Sequence, residues 1–372
     1  MGRETKDSKM KVLVFSSYIE NWNAVRPEAE IFIEMAKQGH SITVATQGRA
    51  KYVDRFLKNG IRIIDCYPKR KICLKSIRTL RDELKKSSYD IVFATNSRTI
   101  PNAAIACVGL PVKLVTYRGV TSGMHRHDPS TYLTNLNPRI DAIICNAEAV
   151  RQHVIKHVWI SRGKVVTIYK GQDLEWFRSG TADVKQFGIP ENAFLVVCVA
   201  NARPSKGLNV LIDACEYLED FDDIHILIVG KGTDSKIYTR LKDKKSMRDR
   251  IHLAGFRSDA FQIIAAASVY VQPSLKGEGL TKTVMEAMAQ SVPAVVTPDG
   301  GLPEMVEDGL TGFVIPKHNP GAIAEKIIEI YKNPGLAKRM GEAARNRLSD
   351  KFSVANSVKG HMDFFSLLLG KG

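Results

Sequence analysis

Glu278 and Glu286 stand with seven residues between them in the stretch SLKGEGLTKTVMEAM (Ser274–Met288), directly after the strand-like VYVQ and Pro273. Gly277 and Gly279 flank the first acid, and apolar residues at helical spacing (Val284, Met285, Met288) follow it. A strand, a glycine-rich turn and a helix start leave backbone N–H groups and the positive end of the dipole facing the loop, which is how anions are held. Glu278 is expected in the loop at the mouth of a cleft, and Glu286 one to two turns into the helix on its ligand side. One carboxylate can then meet a sugar while the other accepts hydrogen bonds from ribose hydroxyls. The alternative is a surface helix that happens to carry two acids.

Other polar residues sit where loops leave strands. In ANARPSKG (Ala200–Gly207), Arg203 and Lys206 lie on a loop leading into a helix near Leu208. Paired cations beside a diphosphate offset developing negative charge as a metal would. A solvated loop pair is the competing reading. Arg118, after KLVTY, stays protonated and cannot serve as a base. It is read as an electrostatic clamp on a phosphate or an acidic acceptor, or as half of a structural ion pair. Ser17, Lys170 and Asp173 are candidates on the acceptor side. His125, His127 and Asp128 share one loop with no further ligand nearby in sequence, so a polar loop is favoured over a metal site.

These residues need elements to position them. The runs KVLVF, ITVAT, IRII, DIVFA, KLVTY, DAIIC and VVTI read as strands, separated by amphipathic stretches such as Glu28–Gln38, Leu74–Lys86 and Ala147–His157. The pattern restarts with FLVVCVA, IHILIV, IHLA, VYVQ, AVVT and GFVI. Apolar runs without alternation indicate parallel strands covered on both faces, hence an α/β fold with two doubly wound, Rossmann-like domains. Ligands bind beyond the carboxyl ends of such strands, so a cleft is expected. The polar segment around Phe177–Pro190 marks the boundary. The expected domains are 1–175, 176–350, and a C-terminal helix in 351–372 packing back on the first domain.

Composition narrows the class. The chain has 372 residues, 44% hydrophobic and 25% charged, as soluble globular proteins do. No apolar run approaches the ~20 residues of a membrane span, and the N-terminus has no apolar leader, so a cytoplasmic protein is expected. The six cysteines show no Cys-x-x-Cys pair, and Cys145 and Cys198 fall inside apolar runs as small hydrophobes. Net charge is +15, concentrated in the first half, which favours anionic partners such as phosphates or acidic lipid. Lys69, Arg70, Lys71, Lys75, Arg78, Arg81, Lys85 and Lys86, with Leu74, Ile77, Leu80 and Leu84, form a basic amphipathic helix. Such a helix packs on a sheet, lies on a membrane surface, or does both. A nicotinamide dehydrogenase is disfavoured because the first strand is not followed by Gly-x-Gly-x-x-Gly, and no P-loop is present.

The two spaced glutamates followed by Ala-Met-Ala, then VPAVVTPDGGLPEMVEDGLTGFVI, resemble the C-terminal domain of retaining glycosyltransferases of family 4, which have the GT-B fold. The likeness continues upstream through Val229-Gly230-Lys231-Gly232 and Gly255-Phe256, and more weakly in KQGHSITVAT, NAEAVRQHV and YKGQD. The resemblance implies metal-independent, retaining transfer from an NDP-sugar of UDP or GDP type, with no other cofactor. It implies that Glu278 contacts the transferred sugar and Glu286 the ribose. Arg203, Lys206 and the backbone of Gly279, Leu280, Thr281 and Lys282 would hold the diphosphate, and Phe256 and Arg257 the base. Three departures stand out: Asn201 where many members have Arg, Arg118 where many have His, and a first loop (Ser16–Trp22) without glycine. The expected role is cell-envelope polysaccharide or lipopolysaccharide synthesis on an anionic or lipid-linked glycan acceptor, with attachment to the inner membrane face. A sugar-nucleotide epimerase or hydrolase of the same architecture, and a non-catalytic polyanion- or lipid-binding protein without nucleic-acid motifs, are the alternatives.

Overall fold

The computed structural model describes residues 9–19, 22–178 and 180–371. Glu20 and Asn21 of the first loop lie outside the described residues. The chain divides into two units: one runs to Gly171 and resumes at Val354, and the other is Gln172–Ser353.

In the first unit, β1 (Lys11–Phe15), β2 (Ser41–Thr46), β3 (Arg62–Asp65), β4 (Ile91–Ala94), β5 (Lys113–Arg118), β6 (Ala142–Cys145) and β7 (Val165–Thr167) form a parallel sheet ordered β3-β2-β1-β4-β5-β6-β7. The second unit repeats the scheme with β8 (Phe194–Val199), β9 (Ile224–Val229), β10 (Ile251–Gly255), β11 (Val269–Gln272), β12 (Ala294–Val296) and β13 (Gly312–Val314), ordered β10-β9-β8-β11-β12-β13. Every residue of β4, β6, β9 and β11 is buried, which explains why these strands read as unbroken apolar runs. In both sheets the order reverses between the first strand and the fourth. Loops leaving those two strands diverge, and a crevice opens there.

The helix Val354–Leu368 belongs to the first unit and packs on the helix Trp22–Lys37. Its buried face is Ser357, Val358, His361, Phe364 and Phe365. His361 sits among aromatic rings, 6.4 Å from Phe32 and 5.9 Å from both Phe93 and Phe365. The Ser357 hydroxyl donates to the Tyr169 carbonyl at 2.7 Å and fixes where this helix starts.

Two helices differ from the sequence expectation. The first begins at Trp22 and runs through Pro27, although proline ordinarily breaks a helix by lacking an N–H. The basic helix Leu74–Lys86 buries Ser76, Ile77, Leu80 and Leu84, while Leu74 is 67% exposed. Side chains on a helix lean toward its N-terminus, so Leu74, as first residue, leans past the end rather than onto the sheet.

Candidate functional site

The densest polar cluster lies in the second unit where its strand order reverses, at the ends of β8 and β11. Lys206, on the loop after β8, places its Nζ 2.5 Å from Glu278 Oε1 on the loop after β11. Glu278 is buried; its Oε1 also accepts from the Ser274 hydroxyl at 2.5 Å and its Oε2 from Thr281 at 3.2 Å. Beneath it runs a chain of buried polar groups. The Tyr270 hydroxyl donates to Gln272 Oε1 at 2.7 Å, and Gln272 Nε2 donates to Ser274 Oγ at 2.8 Å. Burial, with nearby Cys198, pushes the Tyr270 phenol up, so it stays a neutral donor.

Two glycines permit the close approach. Gly207 has φ +66°, and a Cβ there would lie 2.0 Å from the Pro273 carbonyl oxygen. Gly300 has φ +53°, and its Cβ would lie 1.9 Å from the Glu278 carbonyl oxygen. One glycine presses the Lys206 loop and the other the 299–301 turn onto the backbone that carries Glu278. Asp299 fixes that turn: its Oδ2 accepts the Glu278 backbone N–H at 2.8 Å and its Oδ1 the Lys317 ammonium at 2.6 Å.

The helix Lys282–Ala289 begins beside this cluster. Thr281 is its N-cap but makes no side-chain cap bond, because its hydroxyl is turned to Glu278. The start of the helix therefore keeps backbone donors for an anion at the Gly279–Lys282 stretch. Glu286 is buried within the helix and pairs with Lys282 at 2.8 Å. Arg203 is exposed on the same loop as Lys206. At position 201 the asparagine carboxamide accepts the Lys231 N–H at 3.1 Å and ties two loops together, a structural task for the departure noted above. Phe256 is 71% exposed. Arg257 forms a two-point pair with Asp259 at 2.8 and 2.7 Å and also donates to Gln186, so its guanidinium is largely committed.

The remaining candidates are dispersed. Arg118 closes β5 and donates to the carbonyls of Val120, at 3.1 Å, and Ser122. Burial lowers its pKa and the nearby Cys145 thiol opposes this; among the described residues no carboxylate pairs with it. Beside it lies a pocket of about 290 Å³ at the ends of β4 and β5. Ser17 exchanges hydrogen bonds with Gln47. Lys170 is opposed by burial, but Tyr117 and Glu28 outweigh this and raise its pKa; its Nζ is 3.5 Å from Glu28 and 4.9 Å from the Tyr117 ring centre. Asp173 falls in the second unit and caps the short helix Leu174–Phe177, accepting the Glu175 N–H at 2.9 Å. His125 and His127 stack at 5.2 Å, and folding brings His157 within 6.4 Å of His125 and His153 within 4.7 Å of His157. Among the described residues no group of three His, Cys, Asp or Glu is arranged to hold a metal ion.

Sequence reasoning missed Tyr270, Gln272, Ser274, Asp299, Lys317 and the buried Glu28. The available signal was Gln272, a polar residue ending an otherwise apolar strand. Glu28, at the front of a predicted helix, offered nothing comparable.

Comparison with known proteins gives two family matches: Glycosyltransferase Family 4 over residues 29–176 and Glycosyl transferases group 1 over residues 180–347. A D-inositol 3-phosphate glycosyltransferase of Streptomyces avermitilis is 30% identical over 220 residues, covering 55% of this chain and 47% of that protein. The UDP-Gal:alpha-D-GlcNAc-diphosphoundecaprenol alpha-1,3-galactosyltransferase of Escherichia coli is 25% identical over 308 residues, covering 78% and 79%. The matches to the first curated relatives span only about half the length of those proteins (47–58%). The crystal structure of Anabaena HepE in complex with UDP superposes with TM-score 0.78 at 20% identity, covering 96% of this chain and all of that one, a likeness of fold.

Proposed function

The chain belongs to the family 4 glycosyltransferases of GT-B fold, and on that premise we propose that it transfers a sugar, with retention, from a nucleoside-diphosphate sugar to an anionic or lipid-linked glycan acceptor. One observation carries the proposal. Lys206 and Glu278, 72 residues apart in sequence, meet at the sheet's reversal point beside the start of a helix whose cap is turned away. A diphosphate lodges against that helix start and the cations Lys206 and Arg203. Glu278, clamped between two glycine contacts, faces the transferred sugar, and Glu286 accepts from the ribose hydroxyls. The anomeric carbon–phosphate oxygen bond breaks and the carbon–acceptor oxygen bond forms on the same face. The acceptor hydroxyl proton passes to the departing phosphate, whose negative charge Lys206 and the helix dipole stabilise.

The first unit, with Arg118 and Lys170, takes the acceptor in this reading. The relatives' printed substrates, an inositol phosphate and a lipid diphosphate, support an anionic acceptor. Among the described residues no helix is long and apolar enough to cross a membrane. Peripheral attachment to an acidic membrane face is proposed instead: Ile72 is 47% and Leu74 67% exposed, flanked by exposed Lys69, Arg70, Lys71, Lys75 and Arg78.

The test is nucleotide binding followed by turnover. UDP or GDP raises the melting temperature of the wild-type chain, and Glu278→Ala keeps the far-ultraviolet spectrum while losing transfer by roughly a hundredfold or more. A protein whose melting responds to neither nucleotide, or a Glu278→Ala variant with wild-type turnover, refutes the assignment.

A further inference from the structure

The pocket of about 290 Å³ in the first unit is lined by Lys71, Asn96, Arg118 and Asn135, with Thr, Ser, Tyr, Gly, Val and Ile residues and no acid among its lining. Its polar groups point one way chemically. Asn96 Oδ1 accepts the N–H groups of Arg98 and Thr99, at 3.0 and 3.1 Å, which leaves its amide nitrogen as the end still able to bond. Asn135, buried, likewise accepts from the Thr116 hydroxyl through its oxygen. Arg118 is held rigid by the Val120 and Ser122 carbonyls and, among the described residues, pairs with no carboxylate, unlike Arg139 with Asp141 or Arg151 with Glu148. Lys71 stands at the rim in a fixed place: fully buried Asn102 donates to the Lys71 carbonyl at 2.9 Å and accepts the Cys73 N–H at 2.8 Å.

Two cations and two amide donors thus converge on a lining that holds no acid. Asp128 lies near Lys71 at the rim, but the half-buried Arg118 guanidinium has only carbonyl partners, and such a charge without a counter-ion is costly to keep. We propose that this pocket seats a phosphate-type anion carried by the acceptor, held between Lys71 and Arg118 and oriented by the amides of Asn96 and Asn135. The inference rests on the acceptor role given above to the first unit and adds the chemical group recognised and the residues that recognise it. The pocket volume approaches the roughly 300 Å³ at which small-molecule sites begin. It admits a phosphate together with part of what bears it. Lys71 also adjoins the exposed Ile72 and Leu74, so a phosphate presented at a membrane surface and one on a soluble acceptor enter by the same rim.

The experiment is a calorimetric titration of inorganic pyrophosphate into the full chain saturated with UDP, which occupies the donor site. Lys71→Glu is compared with Lys85→Glu, which changes surface charge equally in the same basic segment but does not line the pocket. The expected result is an affinity lowered about tenfold or more by Lys71→Glu and changed little by Lys85→Glu. Pyrophosphate that does not bind, or that weakens equally with both variants, overturns the proposal. If UDP itself fails to bind, the donor assignment falls, and the Lys71 comparison in UDP-free protein still decides the pocket. Phosphatidylcholine vesicles with and without phosphatidic acid identify the source. Competition by the acidic vesicles marks a lipid phosphate, and its absence alongside pyrophosphate binding marks a soluble one; both support the site.

Discussion

Acidification should destabilise the first unit through one buried histidine. His361 is 4% exposed among Phe32, Phe93 and Phe365, and burial pushes its pKa down from 6.5 to about 4. Because the folded value is depressed, the unfolded chain binds the proton first as pH falls. The stabilising contribution is complete above pH 6.5, declines through the window down to about 4, and is gone below it. The gap of about 2.5 pH units at 1.36 kcal/mol per unit gives about 3 kcal/mol in full, and about 2 kcal/mol is already lost at pH 5. Hydrogen-exchange mass spectrometry on the helix Val354–Leu368, at pH 7 and pH 5 after correction for intrinsic exchange, reads this loss locally. The same measurement on His361→Leu removes the titrating group, while every other group in the unit titrates as before. The variant should lose about 2 kcal/mol less than wild type over that interval. Parallel losses in the two proteins would show that the proton is not excluded by the aromatic surroundings, and the reasoning would fail.

Two further outcomes follow from the geometry. Gly300→Ala sets a Cβ 1.9 Å from the Glu278 carbonyl oxygen at φ +53°, so the backbone must move; the variant should lose about 1–3 kcal/mol of stability and most of its transfer activity, and an unchanged melting temperature would contradict the clamp. Leu74→Ser removes an exposed apolar side chain from the basic segment, so it should reduce flotation with acidic vesicles without altering melting, and equal flotation would remove the membrane role.

The strands among the described residues were legible because most are short apolar runs, and in a parallel sheet covered on both faces that signal is local and strong. The loop carrying Glu278 was legible for a similar reason: strand, glycines and helix start lie within fifteen residues. What surrounds it was not. Asp299 reaches Glu278 across 21 residues and Lys317 across 18 more, and nothing in a carboxylate's own neighbourhood says which distant amide it will accept. The four-histidine group had the same difficulty, since His153 comes from a separate helix and His157 from the turn that follows it. Arg257 shows the converse: a cation beside a recognisable motif was spent on Asp259 two residues later, a partner its sequence neighbourhood did contain.

The first unit takes its last helix, with Val358, Phe364 and Phe365, from beyond the second. The second unit is therefore an insertion: one contiguous segment set within a host that is made of two separate stretches. During synthesis the host's core stays short of those three side chains until the inserted segment has been fully translated. Shortening the carboxyl end would then damage the module encoded first and spare the one encoded later.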